Sequence, residues 1–247
     1  MIDRSLNYGR HIIEQFLGDA PLSGVIVDIG AGSGTDLTIA RAKHPNARLH
    51  AVECWPPNVD ALRRQGIAVH ALNIERDPLP MLTGTVDIVI ANQVLEHTKE
   101  IFWIFHEVSR VLKKGGSFII GVPNLASLHN RILLMCGRQP SPIKSASAHV
   151  RGFTAPDLVN LVNACFSGGY KLEGFGGSNF YPFPPAPAKL LARAFPKMAW
   201  GIFLRFTKQA DYAHQFVEFP RNQRLETNFY VGPEGDALPF GSEHSAP

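Results

Sequence analysis

One stretch constrains this chain more than any other: Val25-Ile26-Val27-Asp28-Ile29-Gly30-Ala31-Gly32-Ser33-Gly34. Its β-branched run, interrupted only by Asp28, fits a short strand covered on both faces in a parallel sheet. The run opens directly into glycines at alternate positions, and a helix-like segment follows. Glycine adopts positive φ freely and has no Cβ, so Gly30, Gly32 and Gly34 fit a loop whose backbone lies against a nucleotide-like ligand. A glycine-rich strand-to-helix turn can also exist without a ligand, so the loop needs support from other segments.

Spacing and charge narrow the ligand. A dinucleotide fingerprint is G-x-G-x-x-G, whereas here the third glycine comes one place early and Thr35 follows. Asp28, at the strand end, would repel a pyrophosphate but can accept from the ammonium end of an amino-acid ligand. These two features favour S-adenosylmethionine over NAD. On them the chain resembles the class I S-adenosylmethionine-dependent methyltransferases, whose first motif has this acid followed by glycines. The resemblance implies a Rossmann-like α/β fold, doubly wound, with a mostly parallel seven-stranded sheet and an antiparallel last strand.

The 247 residues, 45% of them hydrophobic and 18% charged, suffice for one domain with additions. The formal charge of +3 comes without a Lys/Arg run, so no nucleic-acid partner is expected. Cys54, Cys136 and Cys165 are widely spaced and form no CxxC pair, which suggests neither disulfides nor a zinc site and fits a reducing cytoplasm. The first residues lack an apolar signal core, and no apolar run reaches membrane-spanning length.

Taken in order, the alternation of strands and helices supports the doubly wound sheet. Helical spacing of Ile12, Ile13, Phe16 and Leu17 predicts an N-terminal helix beside the cleft. Residues 35–43 form a crossover helix and 48–53 a second strand ending in Glu53, placed to accept both hydroxyls of a ribose. Residues 67–72 give a third strand; the resemblance then puts Asn73 and Ile74 at the adenine, with Asn73 where Asp is commoner. Residues 86–91 form the fourth strand, from which Asn92 and the Glu96-His97 pair reach the cofactor edge. A helix through 101–112, expected to close at Lys113-Lys114-Gly115-Gly116, and a strand over 117–122 complete the regular part. Right-handed crossovers leave all these strand ends on one side.

Beyond it the order Val122-Pro123-Asn124, short helix, Gly137-Arg138, loop, His149-x-Arg151-x-Phe153-Thr154 and helix resembles methyltransferases of small molecules, quinone precursors, sugars and envelope lipids. There the segment corresponding to 125–151 covers the substrate. Sixth and seventh strands are expected over 168–175 and 201–206. Between them lies a Pro-rich, basic insertion at about 178–200, either packed on the core or resting on an anionic membrane. Residues 216–219 and 225–231 read as two short strands, able to cover the site or pair with a second subunit. Residues 232–247 read as a disordered tail. The layout is an N-terminal helix in 1–23, the methyltransferase domain in 24–208 and an extension in 209–247.

Methyl transfer to a hydroxyl needs alignment, exclusion of water and one base. His97 is the expected base and His149 the second candidate. Arg151 is expected to bind an acidic group of the substrate. Quinone-precursor enzymes resembling this chain carry Glu-x-x-Glu-His after the fourth strand, whereas this chain has Gln93 in place of the first Glu. Its loss removes an anionic ligand for a hard cation, so no obligatory metal is expected. The resulting expectation is an S-adenosylmethionine-dependent O-methyltransferase acting on a small-molecule, sugar or lipid-linked acceptor, in the cytoplasm or peripherally on its membrane face. The competing readings are an NAD-dependent oxidoreductase and a non-catalytic cofactor-binding scaffold; the first lacks the expected glycine spacing and a Tyr-x-x-x-Lys pair.

Overall fold

The computed structural model describes residues 3–21, 24–225 and 228–233. Seven strands form one sheet: β1 (Val25–Ile29), β2 (Arg48–Val52), β3 (Ala68–His70), β4 (Val86–Asn92), β5 (Leu112–Pro123), β6 (Tyr170–Ser178) and β7 (Gly201–Lys208). Their spatial order is β3-β2-β1-β4-β5-β7-β6. The strands from β3 to β5 run parallel, and β7 is antiparallel to both of its neighbours, as the resemblance implied.

All five residues of β1 are buried, because the strand is paired on both edges and covered on both faces. Successive side chains leave a strand on opposite faces. Val25, Val27 and Ile29 therefore join one core layer and Ile26 the other, and Val89 and Ile88 divide in the same way on β4. The second layer is closed by Ile13 and Leu17 of α1 (Arg10–Asp19), Leu37 of α2 (Thr35–Lys43) and Leu62 of α3 (Pro56–Arg64).

The first layer is closed by α4 (Ile101–Val111). Phe102 and Phe105 of this helix, and all but one of its other residues, are buried. A helix buried on nearly every side, with His106, Glu107 and Ser109 among its buried residues, needs a cover on its outer side. Part of that cover is α8 (Gln215–Asn222), whose Phe216 and Phe219 lie 5.3 and 5.8 Å from Phe105 and Phe102, ring centre to ring centre. Residues 216–219 thus form a helix and not the expected strand. Fully buried Phe216 offers no edge for pairing with a second subunit. In the rest of the expected hairpin, residues 226 and 227 lie outside the described residues, and the described ones at 225 and 228–231 form no strand. Of the expected tail, 234–247 lie outside the described residues.

The Lys113-Lys114-Gly115-Gly116 stretch also differs from expectation. The helix stops at Val111, and Leu112 already pairs with Val86, so these residues belong to β5. The strand absorbs them through a register shift opposite Val86 to Ile88, with Gly115 at φ +81° and Lys113 Nζ 2.8 Å from Asp87 Oδ1.

The expected lid contains α5 (Leu128–Met135), capped by Ser127, and leads to α6 (Ala155–Cys165), capped by Thr154. The Pro-rich stretch yields α7 (Pro185–Ala194), which buries Ala188 and Ala192 in a small cluster with Phe180 and Ala199. Among the described residues, no helix is long and apolar enough to cross a membrane.

Candidate active site

The glycine loop is held at the carboxyl end of β1. Gly30 N–H and Ala31 N–H both donate to the Val52 carbonyl, at 2.8 and 3.1 Å, which fastens the loop to the end of β2. Gly30, Gly32 and Gly34 all have positive φ, at +70°, +53° and +80°. What a side chain there would meet separates their roles. A Cβ on Gly30 would come 2.6 Å from Val94 and one on Gly34 2.6 Å from Leu62, whereas one on Gly32 would meet nothing within 4 Å. Gly30 and Gly34 are thus required by packing, and Gly32 borders open space at the strand ends.

Acids surround that space. Glu53 Oε2 accepts from Gly32 N–H at 2.8 Å, and its Oε1 accepts from the N–H groups of Cys54 and Trp55. Asp28 is 2% exposed; burial first, and then the nearby charges of Asp36 and Glu53, push its pKa well above the usual carboxylate value. Burial also raises Asp36, partly offset by the Asn92 amide and the Arg10 guanidinium. Three carboxyls around a bare glycine oppose a pyrophosphate and suit a ligand with cationic centres, which fits the ammonium and sulfonium groups of S-adenosylmethionine.

Asn92 ties this cradle to the N-terminus. Its Nδ2 donates to Asp36 Oδ2 at 2.7 Å and to the Tyr8 carbonyl at 3.0 Å, while its Oδ1 is buried without a partner. Arg10 was not singled out from the sequence. Its guanidinium lies over the Tyr8 ring, its Nε is 3.7 Å from Asp36 Oδ1, and that Nε is buried without a hydrogen bond. A cation at the first residue of a helix opposes the helix dipole. Arg10 opens α1 directly after Gly9, and that misplaced charge was the available signal.

Asn73 is placed differently from the other cofactor candidates. Its side chain accepts from Glu75 N–H, and its backbone N–H donates to Asp77, so it closes its own turn, while Ile74 packs against the first core layer. Glu75 accepts from the N–H groups of Lys99 and Glu100 at the start of α4.

The loop after β4 brings the two expected histidines together. Gln93 has φ +57°, and Leu95–His97 make a single 3-10 turn. Glu96 carbonyl accepts from Val150 N–H and Arg151 N–H, at 2.8 and 3.2 Å, which fastens the end of the lid to this turn. The His97 and His149 rings then stand edge to face with centres 4.6 Å apart. One ligand atom each from Glu96, His97 and His149 lies within 4.8 Å of the others, so the group could hold a metal ion. Glu96 is 1% exposed, its Oε2 has no hydrogen-bond partner, and burial pushes its pKa up to about 7. Burial and then His97 lower the pKa of His149, against a hydrogen bond to the Pro142 carbonyl. Arg151 spends its guanidinium on the Thr98 and Lys99 carbonyls, at 3.2 and 2.6 Å, beside a cavity between α4, α6 and α8.

A second cavity of about 470 Å³ is lined by Arg4, Asn7, His129, Ser141, Tyr181 and Trp200. Because β7 is antiparallel, its first residue Gly201 pairs with Pro123 at the end of β5, and the carbonyl of Trp200 just before it accepts from Asn124 N–H at 2.7 Å, on the same sheet edge as the glycine loop. Two aromatic rings among hydrogen-bonding groups make a pocket for a flat or ring-shaped polar molecule. Tyr181 and Trp200 come from the Pro-rich stretch and its exit, where the sequence reading looked for membrane contact.

Residues 27–120 match the family model described as a methyltransferase domain. A probable S-adenosylmethionine-dependent methyltransferase of Mycolicibacterium smegmatis is 30% identical over 166 residues, 67% of this chain and 53% of the relative. Dimethylglycine N-methyltransferase of Parasynechococcus marenigrum is 31% identical over 126 residues, 47% of this chain and 43% of the relative. The chain thus spans only about half the length of these two curated relatives, 43% and 53%. Among solved structures, the plantazolicin methyltransferase BpumL in complex with SAH superposes with a TM-score of 0.58 at 14% identity, covering 84% of this chain and 86% of that one, a likeness of fold. Sequence match and sheet order agree that this chain carries a class I S-adenosylmethionine-dependent methyltransferase domain.

Proposed function

We propose that the protein transfers a methyl group from S-adenosylmethionine to a hydroxyl of a small molecule or sugar held in the Tyr181–Trp200 cavity. S-adenosylmethionine, when bound, supplies a methyl group already activated on a sulfonium. The chain's residues then have three tasks. The Asp28, Asp36 and Glu53 carboxyls, with Arg10, orient the cofactor over bare Gly32. The lid from 125 to 151 and the segment around Tyr8 exclude water. His97, beside Glu96 and His149, takes the proton that a hydroxyl must lose as its oxygen attacks the methyl carbon and the carbon–sulfur bond breaks.

The observation that carries the oxygen acceptor is the base cluster on the lid. Glu96 Oε2 and His149 Nδ1 are buried there without hydrogen-bond partners. Lipid-linked acceptors fall within the same reading, since Leu190, Phe195 and Met198 are exposed beside Lys189, Arg193 and Lys197.

Calorimetry should show binding of S-adenosylmethionine and S-adenosylhomocysteine but not of NAD. Hydroxylated sugars and phenols are then screened for methyl transfer. His97→Ala should lower kcat about 100-fold, the usual share of a general base, while leaving S-adenosylhomocysteine affinity as in the wild type. Binding of NAD alone overturns the reading, and so does an acceptor whose turnover is indifferent to His97→Ala.

A further inference from the structure

The histidines expected to act as bases have the arrangement of metal ligands. His97 Nδ1 is engaged with the Ala148 carbonyl at 3.2 Å, which leaves Nε2 as its free nitrogen. The His149 ring faces the Pro142 carbonyl while its Nδ1 is buried without a partner. An imidazole with one nitrogen on a backbone carbonyl and the other exposing its lone pair is the usual outer-sphere pattern of a ligating histidine. Between them Glu96 Oε2 also has no partner, on a residue 1% exposed. A buried carboxylate without a cation or donor is costly, and among the described residues no Lys or Arg forms a salt bridge with it.

We infer that Glu96, His97 and His149 form a binding site for a divalent transition-metal ion of the zinc type, which clamps the lid to the turn after β4. Two imidazoles and one carboxylate are a nitrogen-rich set that suits zinc and its neighbours, whereas magnesium asks for oxygen ligands. The Gln93 side chain adds no carboxylate, and its Nε2 is itself buried and unpaired. The expectation of no obligatory metal rests on Gln93; in the proposed site the third donor comes from the lid, 52 residues after His97.

Ligand atoms bonded to zinc at about 2.0–2.2 Å stand roughly 3.3 Å from one another. The present group, with its atoms within 4.8 Å, needs closure by about an ångström or so, within the reach of side-chain rotation on an exposed lid. His149 lies on the lid and the other two ligands on the turn after β4, so the ion fixes the lid. In the metal-loaded protein His97 Nε2 is a ligand and no longer a free base; three protein ligands leave a position for an acceptor oxygen, whose hydroxyl is then acidic enough to pass its proton to solvent. The binding site stands independently of the activity proposed above; this last role rests on it.

The test uses the full chain without an affinity tag, stripped by chelator and titrated calorimetrically with Zn²⁺ and, separately, with Mg²⁺. Expected are one Zn²⁺ per chain, bound about 100-fold or more tighter than Mg²⁺. Co²⁺ substitution should give the intense visible bands of a low-coordinate site. Zn²⁺ should also slow amide exchange over residues 138–150. His149→Gln and Glu96→Gln should each weaken Zn²⁺ binding about 100-fold, with S-adenosylhomocysteine affinity serving as the check that the fold persists. Absence of stoichiometric Zn²⁺ binding overturns the site, as does preference for Mg²⁺ or Zn²⁺ affinity unchanged in His149→Gln. Wild-type protein that binds Zn²⁺ but not S-adenosylhomocysteine would refute the methyltransferase reading and leave the metal site intact.

Discussion

Replacing Gly32 and Gly34 by alanine, one at a time, separates a glycine kept for a ligand from one kept for packing. Both have left-handed backbone, so alanine costs each about 1–2 kcal/mol. At Gly34 the new methyl would sit 2.6 Å from Leu62 Cδ2, and Leu62 is fully buried and cannot swing aside. Overpacking adds about 1–3 kcal/mol, for a total of roughly 2–5 kcal/mol. At Gly32 the methyl meets no protein atom within 4 Å, so only the backbone cost remains. That corresponds to a fall in Tm of about 3–6 °C in a chain of this size. The bond from the residue 32 N–H to Glu53 survives the change. The methyl, however, projects into the space assigned to the cofactor. Calorimetric affinity for S-adenosylhomocysteine should therefore drop at least about tenfold, or 1.4 kcal/mol, in Gly32→Ala, in a protein that melts nearly normally. Gly34→Ala should show the reverse, with a much lower Tm and a smaller loss of affinity in the folded fraction. Wild-type affinity in Gly32→Ala would refute the cradle, and a Tm loss equal to that of Gly34→Ala would refute the packing argument.

Two further outcomes follow from buried groups. The raised pKa of Asp28 means that a cationic ligand, which prefers the ionised carboxyl, must displace a proton wherever the pH lies below that pKa. Cofactor affinity should fall on acidification, and calorimetry in buffers of different ionisation enthalpy should detect proton release; Asp28→Asn should weaken binding and abolish that release, and pH-independent wild-type binding would contradict the assignment. The sign for the free protein is opposite: its Asp28 holds its proton more tightly folded than unfolded, so its contribution to stability declines as pH rises from the unfolded value through the folded one. Phe216→Ala should cost about 3–5 kcal/mol in a denaturant titration, because that ring is fully buried against Phe105; a silent substitution would remove α8 from the core.

The sheet was legible because its signals are local. β1 and β4 are apolar runs broken internally only by Asp28 and Asp87, and the loops after them carry residues whose chemistry is unusual for a loop. Asp28 and Glu53, the acids proposed to meet the cofactor, stand out in the sequence by their place at strand ends alone. Residues 216–219 could not be read in this way, since Phe216-Val217-Glu218-Phe219, three apolar residues around one acid, fits a strand or one helical turn equally well. The spacing of Phe216 and Phe219 that turns both towards α4 gains meaning only once α4 is known to need a cover. Asn73 is ambiguous in sequence for a related reason: an Asn after a strand closes turns as readily as it meets a ligand, and its side chain here accepts from Glu75 N–H. The acceptor cavity was illegible in principle, because Arg4, His129, Ser141 and Tyr181 meet across most of the chain's length. Arg151 was visible as a cation, but the Thr98 and Lys99 carbonyls that occupy it carry no sequence signature.

The place of β7 in the sheet has a consequence for how the chain folds. Among the described residues β7 is the last strand in sequence, and it lies between β5 and β6, paired with both. Until it arrives, β5 is an open edge beside an almost complete parallel sheet, and β6 has no partner. Both strands are then templates for stray pairing, and the contacts that close the sheet are among the most distant in sequence. Folding of this protein is thus gated by a late insertion. Chains interrupted before Lys208 should collect as aggregation-prone species, retaining the half of the sheet that holds the glycine loop and lacking the half that lines the acceptor cavity.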